Sequence, residues 1–322
     1  MGGMPKARCL VRLTGLALAA VCAACTAATS QLPGTGGAAG ADSAVITVGS
    51  FDFPESVLLA YLYADALAAR GYPVRVMPDL GSRELVDPAL MTGLIQLVPE
   101  YAGSALQFVS LGRARAIASA AATAAALSRS MASRGIIIGH PAAAQDANAM
   151  VVTAATAARY HLHSTSDLAG VAPPLVFGGP PECQERAYCL PGLRQTYGLR
   201  FRAFVALDAG GALTRQALES GDVGVALLFT TDPEIRAQHL VVLTDNRGLQ
   251  PAENIVPVLR RATVAKYGPR LLATLDAVSA RLSTAVLSSL DALVELRGRA
   301  PRVVADSWLR DEHLLATRMG GS

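Results

Sequence analysis

The 322-residue sequence lacks the motifs that commonly identify an enzyme. It contains no G-x-S-x-G nucleophile turn, no G-K-[ST] phosphate loop and no H-E-x-x-H zinc motif. His161 and His163 lie near a predicted turn without a third ligand at metal spacing, which favours a solvated surface. Asp232 and Glu234 flank Pro233 and indicate a turn rather than a paired acid and base. The sequence therefore predicts a protein that is not an enzyme and that uses neither a metal nor a cofactor.

Lysine is scarce, because Lys6 and Lys266 are the only two lysines and arginine supplies the other positive side chains. The formal net charge is +3, and Lys6, Arg8 and Arg12 add three positive charges within a segment that contains no acid. The rest of the chain is therefore close to neutral and offers no basic surface for nucleic acid. No internal repeat of solenoid length is visible in the sequence either.

An apolar run over residues 13–24 follows these basic residues. About 12 apolar residues are too few to cross ~30 Å of hydrocarbon as a helix, so residues 1–24 predict a secretory signal rather than a membrane anchor. Cys25 follows two alanines, as in a lipoprotein cleavage site, and is predicted to be lipidated. Simple signal cleavage nearby is the alternative. Residues 25–43, rich in Ala, Gly, Thr and Ser, predict a flexible tether. We expect an exported protein, lipid-anchored at the outer face of the cytoplasmic membrane or periplasmic.

Two cysteines, Cys183 and Cys189, lie in the part of the chain that is predicted to fold. In an exported protein, a pair this close in sequence predicts a disulfide bond. Closing so short a loop is expected to stabilise the fold by about 2 kcal/mol in the chain-entropy model.

Strand and helix patterns alternate along the remaining chain. A strand over residues 44–48 precedes a helix over 56–70 that ends at Gly71. A similar alternation begins near residue 149, and the chain becomes helical from residue 270. This rhythm predicts an α/β architecture with a mainly parallel sheet. Two crossings, near residues 145–150 and 251–257, are predicted to divide the chain into lobe I (44–147 with 252–322) and lobe II (148–251).

The segment over residues 80–104 is the most informative part of the chain. It predicts a helix, a short apolar strand over 94–98, and a loop with Pro99, Glu100 and Tyr101 before another helix. An aromatic ring is thereby placed beside helix N-termini at the end of a strand. Ligands of open α/β sheets bind at such strand ends, so the segment predicts a site for a small solute.

Several motifs in order along the chain resemble one known family. They are GSFDFPES (49–56), LGSRELVDPAL (80–90), LVPEYAGS (97–104), PAAAQDANAMVVT (141–153), CLPGLRQTYGL (189–199) and LQPAENIVPVL (249–259). Together they are similar to the osmoprotectant-binding proteins of ABC importers, the glycine betaine, carnitine and choline type. The resemblance implies a two-lobed, type II periplasmic-binding-protein (Venus flytrap) fold. It also implies an ABC permease and an ATPase as partners.

The resemblance also implies roles for individual residues. The family surrounds a quaternary ammonium group with several Tyr rings, and Tyr101 stands at what resembles one of these positions. Val98, Phe229 and Glu253 stand where the family often has Tyr, which predicts a thinner aromatic cage. Glu253 either pairs with a cationic head group or faces solvent at the hinge. Arg186 lies where the family has an arginine that binds a ligand carboxylate.

Other polar and aromatic residues lie in loops that follow predicted strands. Each is a candidate ligand contact, and helix capping or turn formation is the alternative role. These residues are Ser50, Asp52, Phe53, Ser82 and Asn148.

The predicted function is capture of a quaternary-ammonium osmoprotectant between two lobes by a monomeric protein, followed by delivery to the permease. Asp52 and Glu253 are expected to balance a cationic end of the solute. One alternative is a different solute, aromatic or polyhydroxylated, because the cage is thinned. Less favoured alternatives are an exported enzyme on the same fold and a ligand-free lipoprotein with a structural or sensory role.

Overall fold

The computed structural model describes residues 45–315, so the predicted signal, the tether and the predicted lipidation at Cys25 lie outside the described residues. The strands are β1 (Ile46–Gly49), β2 (Val74–Met77), β3 (Leu97–Tyr101), β4 (Ile136–Ile138), β5 (Asn148–Val152), β6 (Val176–Gly179), β7 (Ala203–Ala206), β8 (Val225–Phe229), β9 (Val241–Leu243) and β10 (Ile255–Arg260).

Helices fill most of the connections between these strands. They are α1 (Pro54–Ala69), α2 (Arg83–Thr92), α3 (Ala102–Val109), α4 (Ala120–Ala132), α5 (Ala154–Tyr160), α6 (Leu190–Tyr197), α7 (Ala212–Ser220), α8 (Pro233–Ala237), α9 (Arg261–Tyr267), α10 (Pro269–Ser279), α11 (Thr284–Glu295) and α12 (Pro301–Asp311), with 3₁₀ helices at Thr165–Gly170 and Pro181–Gln184. The turn predicted around Pro233 is instead the start of α8, because Asp232 caps this helix by accepting a hydrogen bond from the Glu234 amide at 2.8 Å.

The strands form two five-stranded sheets with the same plan. The first has the order β2-β1-β3-β10-β4 and the second the order β7-β6-β8-β5-β9. In each sheet one strand, β10 or β5, runs antiparallel to both of its neighbours, while the other pairings are parallel. The mainly parallel prediction therefore needs a correction, because each sheet is mixed. The reversed strands are those that enter a sheet after the chain has crossed from the other sheet.

Strand β3 differs from its prediction. Pro99, Glu100 and Tyr101 do not form a loop but complete this strand, which is buried along its whole length. They pair with β10, and Pro99 lies directly opposite Pro257 in the antiparallel ladder. Proline removes a ladder donor and so argues against a central strand. The partner strand, which is distant in sequence, overrides that local signal.

Each sheet has its own hydrophobic core. One core joins the first sheet to α1 and to the C-terminal helices through Leu58, Leu62, Leu275 and Leu309. Separate clusters cover the two faces of the second sheet. We call the first sheet with α1–α4 and α9–α12 the first lobe, and the second sheet with α5–α8 the second lobe.

Two chain segments cross between the lobes side by side. Gln145 in the first crossing forms an antiparallel bridge with Asn254 in the second.

Among residues 45–315, no single helix has the length and mean hydropathy of a membrane-spanning segment. Helices α10 and α11 meet these two criteria only when they are taken together, and the pair is bent by 84°.

Candidate functional site

A cavity of about 80 Å³ lies between the two lobes. It is located where β3 and β8 end and β5 begins, so that side chains at the ends of three strands converge on it. Its lining is formed by Phe51, Asp52, Phe53, Ser82, Arg83, Tyr101, Ser104, Gln107, Phe108, Asp146, Asn148, Pro180, Glu182, Cys183, Arg186, Tyr188, Cys189, Ala209, Leu227, Phe229 and Glu253. This volume is below the roughly 300–1,000 Å³ of typical ligand pockets, so the cavity has room only for a small solute.

Four aromatic rings form one wall of this cavity. Phe51 and Phe53, from the loop before α1, stack with their ring centroids 5.9 Å apart, and the Phe53 ring lies 5.8 Å from that of Tyr101. Phe229 of the second lobe lies 5.2 Å from Phe53. The aromatic wall, as we call these four residues, therefore continues from one lobe to the other. Aromatic faces of this kind attract cations, because the quadrupole of the neutral ring makes its face partly negative.

The replacements that were expected to thin the cage have unequal consequences. Val98 is fully buried in β3 and is not part of the cavity lining. The valine at this position therefore does not account for a thinner aromatic cage. Phe229 keeps an aromatic face in the cavity but has no hydroxyl group. Glu253 places a carboxyl group in the lining instead of a ring.

Arg186 lies on the second-lobe side of the cavity, between the 3₁₀ helix Pro181–Gln184 and α6. The predicted disulfide joins Cys183 to Cys189, with Cα atoms 5.2 Å apart, and closes the loop that carries this arginine. One terminal nitrogen, Nη2, contacts Oε2 of Glu84 at 2.8 Å and Oε1 of Glu182 at 3.4 Å. The Nε atom is buried and has no hydrogen-bond partner among the described residues. One donor of the guanidinium group therefore remains unused.

Glu253 lies in the second crossing and is buried, so the alternative in which it faces solvent is wrong. Its carboxylate accepts hydrogen bonds from the Ser104 amide at 3.0 Å and from the Ser104 hydroxyl at 2.6 Å. Burial raises the pKa of Glu253 to about 7, although these hydrogen bonds act in the opposite direction. Close packing of α3 on the crossing depends on Gly103, where a Cβ atom would lie 2.9 Å from the Ala252 carbonyl oxygen.

The remaining predicted residues are divided between the cavity and its supports. Asp52, Ser82 and Asn148 line the cavity. The Ser82 hydroxyl donates to Oε2 of Glu84 at 2.7 Å, so it also orients the acid that contacts Arg186. The structure does not place Ser50 in the lining. Its hydroxyl is buried, donates to a neighbouring carbonyl at 2.9 Å and accepts from a backbone amide of the next loop at 3.0 Å.

Several lining residues were not predicted as candidates from the sequence. Arg83 is buried, forms a bidentate ion pair with Glu100 (2.9 and 2.8 Å) and lies 5.0 Å from the Phe51 ring centroid. Gln107 also lines the cavity. A local signal existed for Arg83 and Phe51, because they adjoin Ser82 and Ser50 in the same loops. For Gln107, in the interior of α3, the sequence offered no such signal.

The sequence matches a described protein family over most of its length. The match is to the substrate-binding domain of ABC-type glycine betaine transport systems and covers residues 44–311. The chain is 28% identical to the glycine-betaine-binding protein of Pseudomonas aeruginosa over 290 residues, which is 87% of this chain and 92% of that protein. It is 26% identical to the glycine betaine-binding protein YehZ of Escherichia coli over 279 residues, or 83% of this chain and 90% of that one.

The fold is also found among solved structures. A crystal structure of a glycine betaine/carnitine/choline ABC transporter protein superimposes with a TM-score of 0.66 at 23% identity, covering 84% of this chain and 100% of the other. At this identity the likeness concerns the fold alone. It confirms the predicted α/β, two-lobed Venus-flytrap fold with two crossings.

Proposed function

Because the chain belongs to the family of substrate-binding domains of ABC-type glycine betaine transport systems, we propose that it captures a quaternary-ammonium osmoprotectant of the glycine betaine, carnitine or choline type. The observation that carries this proposal is the aromatic wall, in which Phe53 of the first lobe and Phe229 of the second are 5.2 Å apart beside a small cavity. A cation that contacts both lobes gains more when they are together than when they are apart, and this difference drives closure.

The proposed roles follow the chemistry of a solute with one cationic and one anionic end. Phe53, Tyr101 and Phe229 present aromatic faces to the ammonium group, each contact contributing about 0.5–2 kcal/mol. Glu253 and Asp52 balance its positive charge, and Ser82 and Asn148 supply polar contacts. Ser50 acts indirectly, by fixing the loop that carries the first two rings.

Arg186 is the proposed partner of a solute carboxylate. Its Nε–H is the unused donor, and the disulfide loop reduces the cost of ordering the side chain when a solute binds. Because Glu84 and Glu182 already share its terminal nitrogen, a carboxylate has to compete with them for that atom. Choline, which has no carboxylate, does not need this residue.

The family supports further proposals about the protein's setting. We propose that the protein is exported, is anchored through Cys25 at the outer face of the cytoplasmic membrane, and delivers its solute as a monomer to an ABC permease driven by an ATPase. Capture and release, without chemical change of the solute, is the proposed activity.

A second candidate remains within the same fold. Phe229 and Glu253 give the cavity fewer hydroxyl groups and more negative charge than a cage of tyrosines. An aromatic or polyhydroxylated solute is therefore the alternative.

Thermal-shift and titration calorimetry with glycine betaine, carnitine, choline, a phenolic amine and a polyol distinguish these solutes. Binding raises the unfolding temperature according to the ratio of solute concentration to Kd. The proposal expects a shift with the quaternary ammonium compounds that is lost in Phe229→Ala and retained in Tyr160→Ala, a change outside the cavity. A shift with the phenolic amine or the polyol alone favours the second candidate, and no shift with any compound contradicts both.

A further inference from the structure

Three carboxyl groups are buried together behind the aromatic wall. They belong to Glu55, Asp146 and Asp291, which we call the interlobe carboxyl cluster. These residues line a second, smaller cavity of about 20 Å³, which is adjacent to the solute cavity and shares Phe53, Asp146, Ala209 and Phe229 with it. The residues described here contain no group of His, Cys, Asp or Glu side chains arranged to hold a metal ion. Another source of positive charge is therefore needed to balance these acids.

The cluster connects the two lobes. Glu55 lies in the first turn of α1 in the first lobe. Its Oε1 atom accepts a hydrogen bond from the Tyr101 hydroxyl at 2.6 Å, and its Oε2 atom accepts one from the Thr231 hydroxyl of the second lobe at 2.6 Å. Asp146, in the first crossing, accepts from the Thr231 amide at 3.0 Å. The carboxyl group of Glu55 therefore both positions the Tyr101 ring of the solute cavity and joins the two lobes.

Asp291, on α11, is the exception within the cluster. Neither of its carboxyl oxygens receives a hydrogen bond from an N–H or O–H donor of the described residues, although the side chain is 2% exposed. The Glu55 carboxyl lines the same small cavity as Asp291. Two carboxyl groups can form a hydrogen bond only when one of them carries a proton. A buried, ionised and unpaired carboxylate would be far more costly.

The charged neighbours do not remove the need for this proton. Arg215 is the basic side chain beside the smaller cavity, and it already pairs with Asp232 at 3.1 Å and with Glu295 at 3.2 Å. Glu234 adds a further negative charge next to Asp232. Burial raises the pKa of the Asp146 and Asp291 carboxyls well above their ordinary values, and the adjacent Glu55 carboxyl adds to both shifts. Burial raises the pKa of Glu55 as well.

We propose that the interlobe carboxyl cluster is a proton-dependent latch, in which the lobes close with a proton held between Glu55 and Asp291. Opening separates Glu55 from Thr231, admits water to the cluster and returns the proton to solvent. The latch is a property in addition to solute capture. It rests on the proposed function in one respect only, namely that a bound solute drives the lobes to close.

The direction of the pH effect follows from the proton count. The closed form holds more protons than the open form, so acid favours closure and solute affinity falls as pH rises, by up to about tenfold per pH unit for one proton. Glu253 acts in the opposite direction, because a cationic solute beside it favours its ionised form. A substitution within the interlobe carboxyl cluster that leaves Glu253 unchanged separates these two pH effects on solute affinity.

Asp291→Asn is the decisive variant, because its amide can donate to Glu55 without a proton and Asp291 is not part of the solute cavity lining. Glycine betaine and choline are titrated by calorimetry in phosphate and in Tris, whose different ionisation enthalpies reveal proton uptake. We expect the wild type to take up roughly one more proton per solute than Asp291→Asn, and the variant to lose most of the decline in affinity between about pH 6 and about pH 8. Asp311→Asn, an exposed change at the end of α12, should behave as the wild type.

Equal proton uptake and equal pH dependence in the wild type and Asp291→Asn would overturn the latch. If neither solute binds, the proposed solute class fails, and small-angle X-ray scattering of the solute-free protein then decides about the latch. The radius of gyration should decrease on acidification in the wild type and stay at the compact value in Asp291→Asn. A wild-type radius that does not change with pH overturns the latch even if the variant does not fold.

Discussion

Two of the polar contacts that join the lobes have opposite character. At the front, Arg186 of the second lobe contacts Glu84 of the first, and both side chains are partly exposed. At the rear, Glu55 contacts Thr231 inside the buried carboxyl cluster. Exposed ion pairs contribute little to stability and weaken in salt, whereas a buried hydrogen bond to a charged or proton-sharing group is costly to break. The front contact can therefore open at little cost, while the rear contact resists opening.

The largest expected effect comes from removing the rear contact. Glu55→Ala leaves the hydroxyls of Tyr101 and Thr231 without their acceptor, and each unpaired buried group costs about 1–3 kcal/mol. We expect a loss of about 2–4 kcal/mol in the free energy of unfolding, measured by urea denaturation. The matched variant at the front, Glu84→Ala, should lose less than about 1 kcal/mol. Similar losses in the two variants would remove the distinction between the contacts.

The next effect concerns the solute rather than the fold. Arg186→Ala removes the proposed partner of the solute carboxylate, and a charge-assisted hydrogen bond is worth about 1.5–3 kcal/mol. Calorimetry should show glycine betaine affinity falling about 10- to 100-fold while choline affinity changes little. Arg200→Ala, an exposed change in the same lobe, is the control. Equal losses for both solutes would assign Arg186 to closure instead of carboxylate recognition.

Per pH unit, a smaller effect on stability is expected from pH. Burial raises the pKa of Glu295 to about 7 and that of Asp291 above its ordinary range, so the folded protein holds more protons than the unfolded chain. The free energy of unfolding should therefore decrease from about pH 5 to about pH 8, by up to about 1.4 kcal/mol per pH unit for each such proton. Denaturation curves at several pH values measure this, and Asp291→Asn should have a shallower slope. A stability that rises over this range contradicts the buried cluster.

The smallest effect is expected from salt. Raising the ionic strength screens the exposed pair of Arg186 and Glu84 but not the buried contact of Glu55. Opening of the solute-free protein, followed by the radius of gyration, should increase slightly with salt in the wild type and not in Glu84→Gln. If salt has the same effect on both, the front pair does not contribute to closure.

Local patterns predicted much of this fold, because strand and helix ends are marked in the sequence. Gly71 and Gly93, for example, adopt positive φ angles where α1 and α2 end. The site was predictable where a candidate lies at a strand end, as Tyr101 and Phe229 do. The extension of β3 over Pro99 could not be seen locally, because β10, its partner, comes much later in the chain.

The carboxyl cluster was the least predictable part of the site. Glu55 follows a proline at a helix start, where an acid is ordinary, and Asp291 lies on an amphipathic helix without a motif. Their proximity results from the packing of α11 beside α1 and α8, which no local pattern encodes. Burial, and with it the need for a shared proton, appears only once the lobes have assembled.

The most direct test of the account compares the radius of gyration of the wild type with and without glycine betaine by small-angle X-ray scattering. The account predicts that saturating glycine betaine makes the protein more compact, and that Phe229→Ala, which removes the second-lobe ring of the aromatic wall, loses this response. Compaction of equal size in Phe229→Ala, or none in the wild type despite measured binding, would contradict capture between the lobes.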